Sequence, residues 1–123
     1  MFVKTLSSGA TQRISTDGAG AQANDGSYDP MWSPDGTMIA FWSYASNLVP
    51  TGYSGSSQVF LKTLSTGAVQ RISVDAGGAT ANSESGGHSW SPTGTFVVFH
   101  SDASSLVPGD TNGARDVFVK AIP

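Results

Sequence analysis

Side chains able to do chemistry are sparse in this chain of 123 residues, which carries two histidines and no cysteine. Without cysteine there is no disulfide framework, no thiolate zinc ligand and no thiol nucleophile. The most pointed constellation is Asp110-x-Asn112-x-x-x-Asp116. Short oxygen ligands in a glycine-containing loop suit Ca²⁺, which takes oxygen donors in flexible geometry. The spacing is not that of an EF-hand, and the bidentate glutamate is missing. The same residues suit a loop in which Asp110 and Asn112 hydrogen-bond backbone amides. Ca²⁺ at Asp110, Asn112 and Asp116 is thus the cofactor this loop could hold; otherwise none is expected. His88 and His100 could form part of a metal site only with a third ligand, for which Asp102 or Glu84 are available. A lyase or hydrolase would have to be built on one of these histidines. His100 and Asp102 stand two apart and share a face if extended. Ser101 completes the three residue types of a triad, but no nucleophile elbow or oxyanion motif accompanies it. The expectation is a protein that is not an enzyme.

The elements that must position these residues come from an internal repeat. Phe2-Val3-Lys4-Thr5-Leu6 returns as Phe60-Leu61-Lys62-Thr63-Leu64, an offset of 58 residues. Gln12-Arg13-Ile14-Ser15, Trp32-Ser33-Pro34 and Leu48-Val49-Pro50 return at the same offset, and Val117-Phe118-Val119-Lys120 is a third copy of the opening run. Such self-similarity is the signature of a repeat architecture. The units are 1–58 and 59–116, with a partial third copy over 117–123.

Each unit reads as four strands. The first ends at Met31-Trp32-Ser33 and is stopped by Pro34-Asp35-Gly36. The second is 37–43, the third 59–63 and the fourth 69–74, whose alternation suggests a half-exposed edge. The second unit repeats the order with strands ending at 91, over 95–101 and over 117–120. No window carries a sustained helical period. The Gly- and Ala-rich stretch 17–25 recurs at 75–83, which favours an ordered loop over a linker. Arg13 and Arg71, with Gln12 and Gln70, fall on the fourth strand and read as a solvated or paired edge.

A four-stranded unit repeated in tandem is the mark of a β-propeller blade. The fold class expected is all-β: two four-stranded antiparallel blades plus an extra strand. Two blades leave apolar faces open, so either copies of the chain complete a ring by homo-oligomerisation or the chain is a piece of a longer protein. Naming the strands A to D from the ring axis outward, the chain reads C-D-A-B-C-D-A-B-C. The last A-B-C of one chain could accept the first D strand, 10–15, of the next, leaving one C strand surplus.

Trp32-Ser33-Pro34-Asp35-Gly36-Thr37 followed by Ile39-Ala40-Phe41 resembles the signature of WD40-like PD40 repeats in TolB-type β-propellers. Leu106 to Gly113, running into Asp116-Val117-Phe118-Val119-Lys120, is similar to a second hallmark of such blades. The resemblance covers essentially the whole chain. Thr93 stands where Asp35 does, and the acidic loop is intact only in the second unit. The resemblance implies six-bladed rings, hence a trimer here, and a binding or scaffolding role. It also implies that relatives sit before peptidase domains and are often exported. Trp32, Trp90, Phe41, Phe99, Phe60 and Phe118 are then expected to pack between blades.

Tyr28, Trp42, Tyr44 and Tyr53 have no aromatic counterparts in the second unit. They could form a sugar- or protein-binding face, which makes a lectin-like carbohydrate binder the alternative function; the ligand itself is not legible. The net charge of −3 disfavours nucleic acid. No apolar run approaches a membrane span. The opening residues lead quickly into Ser7-Ser8-Gly9 and offer no apolar leader region. If complete, such a chain is expected to stay in the cytoplasm.

Overall fold

The computed structural model describes residues 1–52 and 55–123. Its described residues form nine strands and no helix: β1 (Phe2–Lys4), β2 (Thr11–Arg13), β3 (Ser27–Trp32), β4 (Met38–Ser43), β5 (Gln58–Thr63), β6 (Val69–Arg71), β7 (Ser85–Trp90), β8 (Phe96–Ser101) and β9 (Asp116–Ala121). All pairings are antiparallel and join strands consecutive in sequence. They make three sheets: β1-β2, β3-β4-β5-β6 and β7-β8-β9. The partition follows the repeat. β4 and β5 pair from Met38↔Thr63 to Ser43↔Gln58, and β8 and β9 pair from Phe96↔Ala121 to Ser101↔Asp116, which is the same register 58 residues on.

Turn chemistry sets the strand ends. After β3, Gly36 adopts φ +71° and its N–H donates to the Ser33 carbonyl at 2.9 Å. The Asp35 carboxylate accepts from the Ser33 hydroxyl and from the Thr37 N–H and hydroxyl. Thr93 cannot supply a carboxylate, and its hydroxyl instead meets those of Ser91 and Thr95. The loop 17–25 is ordered: one oxygen of Asp17 accepts from the N–H groups of Ala19 and Ala21, and a bridge joins Thr16 to Gln22. Asp75 organises its counterpart in the same way.

Two apolar cores separate the sheets, and they are copies of one another. One gathers Ile14, Ala23, Ile39, Phe41, Ala45, Leu48 and Phe60, with Met1 and Val3 packed on it. The other gathers the counterparts Ile72, Ala81, Val97, Phe99, Ala103 and Leu106, with Phe118 packed on it, and adds Ala40, Val59 and Leu61 from the preceding sheet. Phe41 stacks on Phe60 and Phe99 on Phe118, each at 5.8 Å between centroids. These are cross-strand partners whose rings fill the space between sheets. Trp90 is half-buried, and its indole N–H donates across sheets to the Met31 carbonyl at 3.3 Å. Trp32, its counterpart, is 49% exposed.

Three expectations need correction. The first strand of each sheet is longer than its Trp-Ser end suggests. β3 starts at Ser27 and runs through a bulge between Tyr28 and Met31, where Asp29 sits at φ +51°. The extra residue of a bulge hides the two-residue alternation. The fourth strand is shorter than 69–74, because Val74 N–H turns back to the Ile72 carbonyl. Arg71 is not solvated. It is buried, with its guanidinium bonded to the carbonyls of Thr51 and Gly52 and to the Thr80 hydroxyl, and it lies over the Phe60 ring. Arg13 alone keeps the exposed edge position, paired with Gln22 at 2.7 Å.

Candidate functional site

The bulges of β3 and β7 turn toward one another across the space between the four- and three-stranded sheets. Between them lies a cleft of about 260 Å³. Asp29 lies in the β3 bulge and Gly87 in the β7 bulge, with Gly86, still paired to His100, just before it. Trp42 and, just past its strand, Tyr44 come from β4; His100 comes from β8. Ser57, Glu84 and Arg115 enter from the residues that lead into β5, β7 and β9.

The aromatic side is locked in place. Tyr28 stacks on Trp42 at 4.5 Å with planes 24° apart, and Tyr44 meets Trp42 edge-on at 5.5 Å and 84°. The Trp42 indole N–H donates to Asp29 at 2.7 Å. Opposite, Arg115 makes a bidentate pair with Asp102 at 2.6 and 2.7 Å. That hydrogen bond leads in holding the Asp102 carboxyl below its ordinary range and the guanidinium above its own. The glycines matter here. A side chain at Gly87 would meet the His100 ring within 2.4 Å, and one at Gly86 would fill the gap between His100 and Trp42.

His88 is buried beside this cleft, against the backbone of Ala40 and Asp29, and neither ring nitrogen reaches hydrogen-bond geometry. Burial is the leading cause that pushes its pKa down. The two histidines do not converge on a metal. Among the described residues no three His, Cys, Asp or Glu side chains group as a metal site would need. The triad types are not assembled either. Asp102 is engaged by Arg115 rather than by His100, and the Ser101 hydroxyl is buried, donating to the Glu84 carbonyl at 2.8 Å.

The loop of Asp110, Asn112 and Asp116 lines one shallow hollow. Within it the Asn112 amide donates to both oxygens of Asp116, and its oxygen accepts from the Ala114 N–H. A Ca²⁺ ion would have to displace that amide from the carboxylate. Tyr53 lies outside the described residues.

Sequence reasoning singles out Tyr28, Trp42, Tyr44, Glu84, His100 and Asp102 separately, but it misses Asp29, Ser57, Gly86, Gly87 and Arg115. A signal was present. Tyr28/Gly86, Asp29/Gly87, Trp42/His100, Tyr44/Asp102, Ser57/Arg115 and Gly26/Glu84 are repeat counterparts that differ, and all of these residues but Gly26, Tyr28 and Asp102 line the cleft.

No protein-family model matches the chain, and no curated protein matches it. The likeness to PD40 repeats therefore rests on the Trp-Ser-Pro and Leu-Val-Pro motifs themselves.

Proposed function

We propose that the chain is a non-catalytic β-propeller module of two blades that joins copies of itself head to tail into a closed ring. The ring serves as a scaffold or protein-binding unit. The observation that carries this reading is a contrast between repeat counterparts. Val59 and Leu61 on β5 are 0% and 3% exposed, whereas Val117 and Val119 on β9 are 72% and 65% exposed. The β5 pair is covered by the sheet that follows; the β9 pair awaits one. Burying two valines stabilises by roughly 3–6 kcal/mol, partly offset by what they displace.

What they displace is specific. β1 pairs with β2 through Phe2↔Arg13, Val3↔Gln12 and Lys4↔Thr11. β5 pairs with β6 in the equivalent register, Phe60↔Arg71, Leu61↔Gln70 and Lys62↔Val69. A neighbour's β9 presents Phe118, Val119 and Lys120 to β2 in the same way, with Val117 and Val119 standing where Met1 and Val3 now cover the first core. β1 is then the surplus strand, since β9 already holds its place over six residues of β8. Exchange of equivalent elements between copies is a low-cost route to assembly, and head-to-tail contacts close into rings. Three chains and six blades follow from the PD40 resemblance.

Native mass tests the reading. The expected result is a discrete multiple of 12.6 kDa, threefold for a six-bladed ring. Val119→Asp, which puts a charge in the new interface, is expected to leave a folded monomer. A wild-type chain that stays folded at the monomer mass at high concentration overturns the proposal.

A further inference from the structure

We propose that the cleft between the four- and three-stranded sheets is a sugar-binding site that takes one pyranose per chain. It lies wholly within one chain and does not depend on ring closure.

A pyranose offers an apolar C–H face and a rim of hydroxyls that both donate and accept. The cleft offers the matching surfaces. Trp42 and Tyr44 meet at 84° and form an aromatic corner. The indole is fixed from behind by Tyr28 and at its N–H by Asp29, so little freedom is lost on binding. The polar capacity around that corner is unspent. The Glu84 carboxylate, the second oxygen of Asp29, the Tyr44 and Ser57 hydroxyls and one amino group of Arg115 make no hydrogen bond within the described residues. Acceptors and donors are both present, as a polyol needs. Arg115 disfavours the other ligand that aromatic rings and carboxylates attract, a quaternary ammonium ion.

The size fits as well. About 260 Å³ lies just below the usual range for small-molecule sites, which suits a single sugar ring. Gly86 and Gly87 keep its floor open. The counterpart positions carry other residues, so the repeat does not generate a second copy within the chain.

The test is a titration of the ¹⁵N-labelled protein with methyl glucoside, galactoside, mannoside and N-acetylglucosaminide, following the three indole N–H signals. The expected result is a saturable shift of the Trp42 signal by at least one glycoside, with Trp32 and Trp90 unmoved. Glu84→Gln, which breaks no side-chain hydrogen bond among the described residues, is expected to weaken that affinity about tenfold. Trp42→His places the residue of the second unit at this position and is expected to abolish saturation transfer to the sugar. The proposal is overturned if no glycoside moves the Trp42 signal, if Glu84→Gln or Trp42→His binds as wild type, or if tetramethylammonium alone produces the shift. Failure of ring assembly would appear in the native mass and leave this titration unaffected.

Discussion

The Lys62 ammonium lies 2.9 Å from the Thr16 hydroxyl and 2.9 Å from the Asp17 carbonyl oxygen. A third bond, to the Thr16 carbonyl, completes its three donors. This joins β5 to the loop that follows β2, so a buried lysine ties two sheets together without a carboxylate in contact. Burial leads in pushing its pKa down. Lys120 repeats the arrangement on Val74 and Asp75 at 3.3 and 3.4 Å, half-buried and longer. Lys62→Ala is expected to cost about 2–3 kcal/mol, since it removes charge-assisted bonds and strands buried acceptors. Lys120→Ala is expected to cost clearly less. Urea denaturation of the two variants measures the difference.

Gly87 gives a second prediction. It holds φ +49° in the β7 bulge, and an added Cβ would sit 2.3 Å from His100 Nδ1. Gly87→Ala therefore combines left-handed strain of about 1–2 kcal/mol with a steric conflict. His100→Ala in the same chain should relieve the conflict and leave the strain. The stability of the double variant is thus expected to exceed that of Gly87→Ala. If the two are equal, the imidazole is not what the glycine accommodates.

Much of this architecture was legible because the repeat is written in residue identities. Trp32-Ser33-Pro34, Leu48-Val49-Pro50 and the Phe-x-Lys strands mark the sheets, and the order of nine strands follows from their spacing. What escaped was local. The bulges at Tyr28–Met31 and Gly86–Ser89 break the two-residue alternation, so the starts of β3 and β7 left no periodic trace. Arg71 looked like an edge residue, because its acceptors are main-chain carbonyls at Thr51 and Gly52 and a hydroxyl at Thr80, none of which advertises a cation partner in sequence. The cleft was visible only in fragments. Its members come from six separate stretches, and only the fold shows that the departures from the repeat share one space.

His88 predicts a pH dependence. Its imidazole is 6% exposed and its pKa is held below the ordinary 6.5, with burial outweighing the nearby Asp29 charge. The unfolded chain takes up a proton near pH 6.5, and the folded chain resists it to lower pH. Stability is therefore full above about pH 6.5, falls as pH drops toward the folded-state pKa and levels off beneath it. The lowered carboxyls of Asp35 and Asp102 act in the same direction, but only in the more acidic range where carboxylates titrate. Denaturation midpoints between about pH 7.5 and 5 isolate the histidine. His88→Leu is expected to flatten the dependence in that window; an unchanged slope would assign it elsewhere.

The two repeat arginines separate folding from assembly. Arg71 bonds the Thr51 and Gly52 carbonyls at 2.9 and 2.7 Å and lies over Phe60, all within one sheet and its loops. Arg71→Ala is expected to cost about 2–3 kcal/mol in lost charge-assisted bonds and lost packing, independent of protein concentration. Arg13 is exposed, lies over Phe2 and, among the described residues, bonds Gln22 alone through its side chain, so Arg13→Ala is expected to stay within about 0.5 kcal/mol in the monomer. Under strand exchange the same guanidinium moves from Phe2 to a neighbour's Phe118, where the counterparts of Thr51 and Gly52 are Gly109 and Asp110. Arg13→Ala should then weaken assembly without weakening the fold, and dilution series of the native mass, run beside urea titrations at low concentration, read the two effects apart.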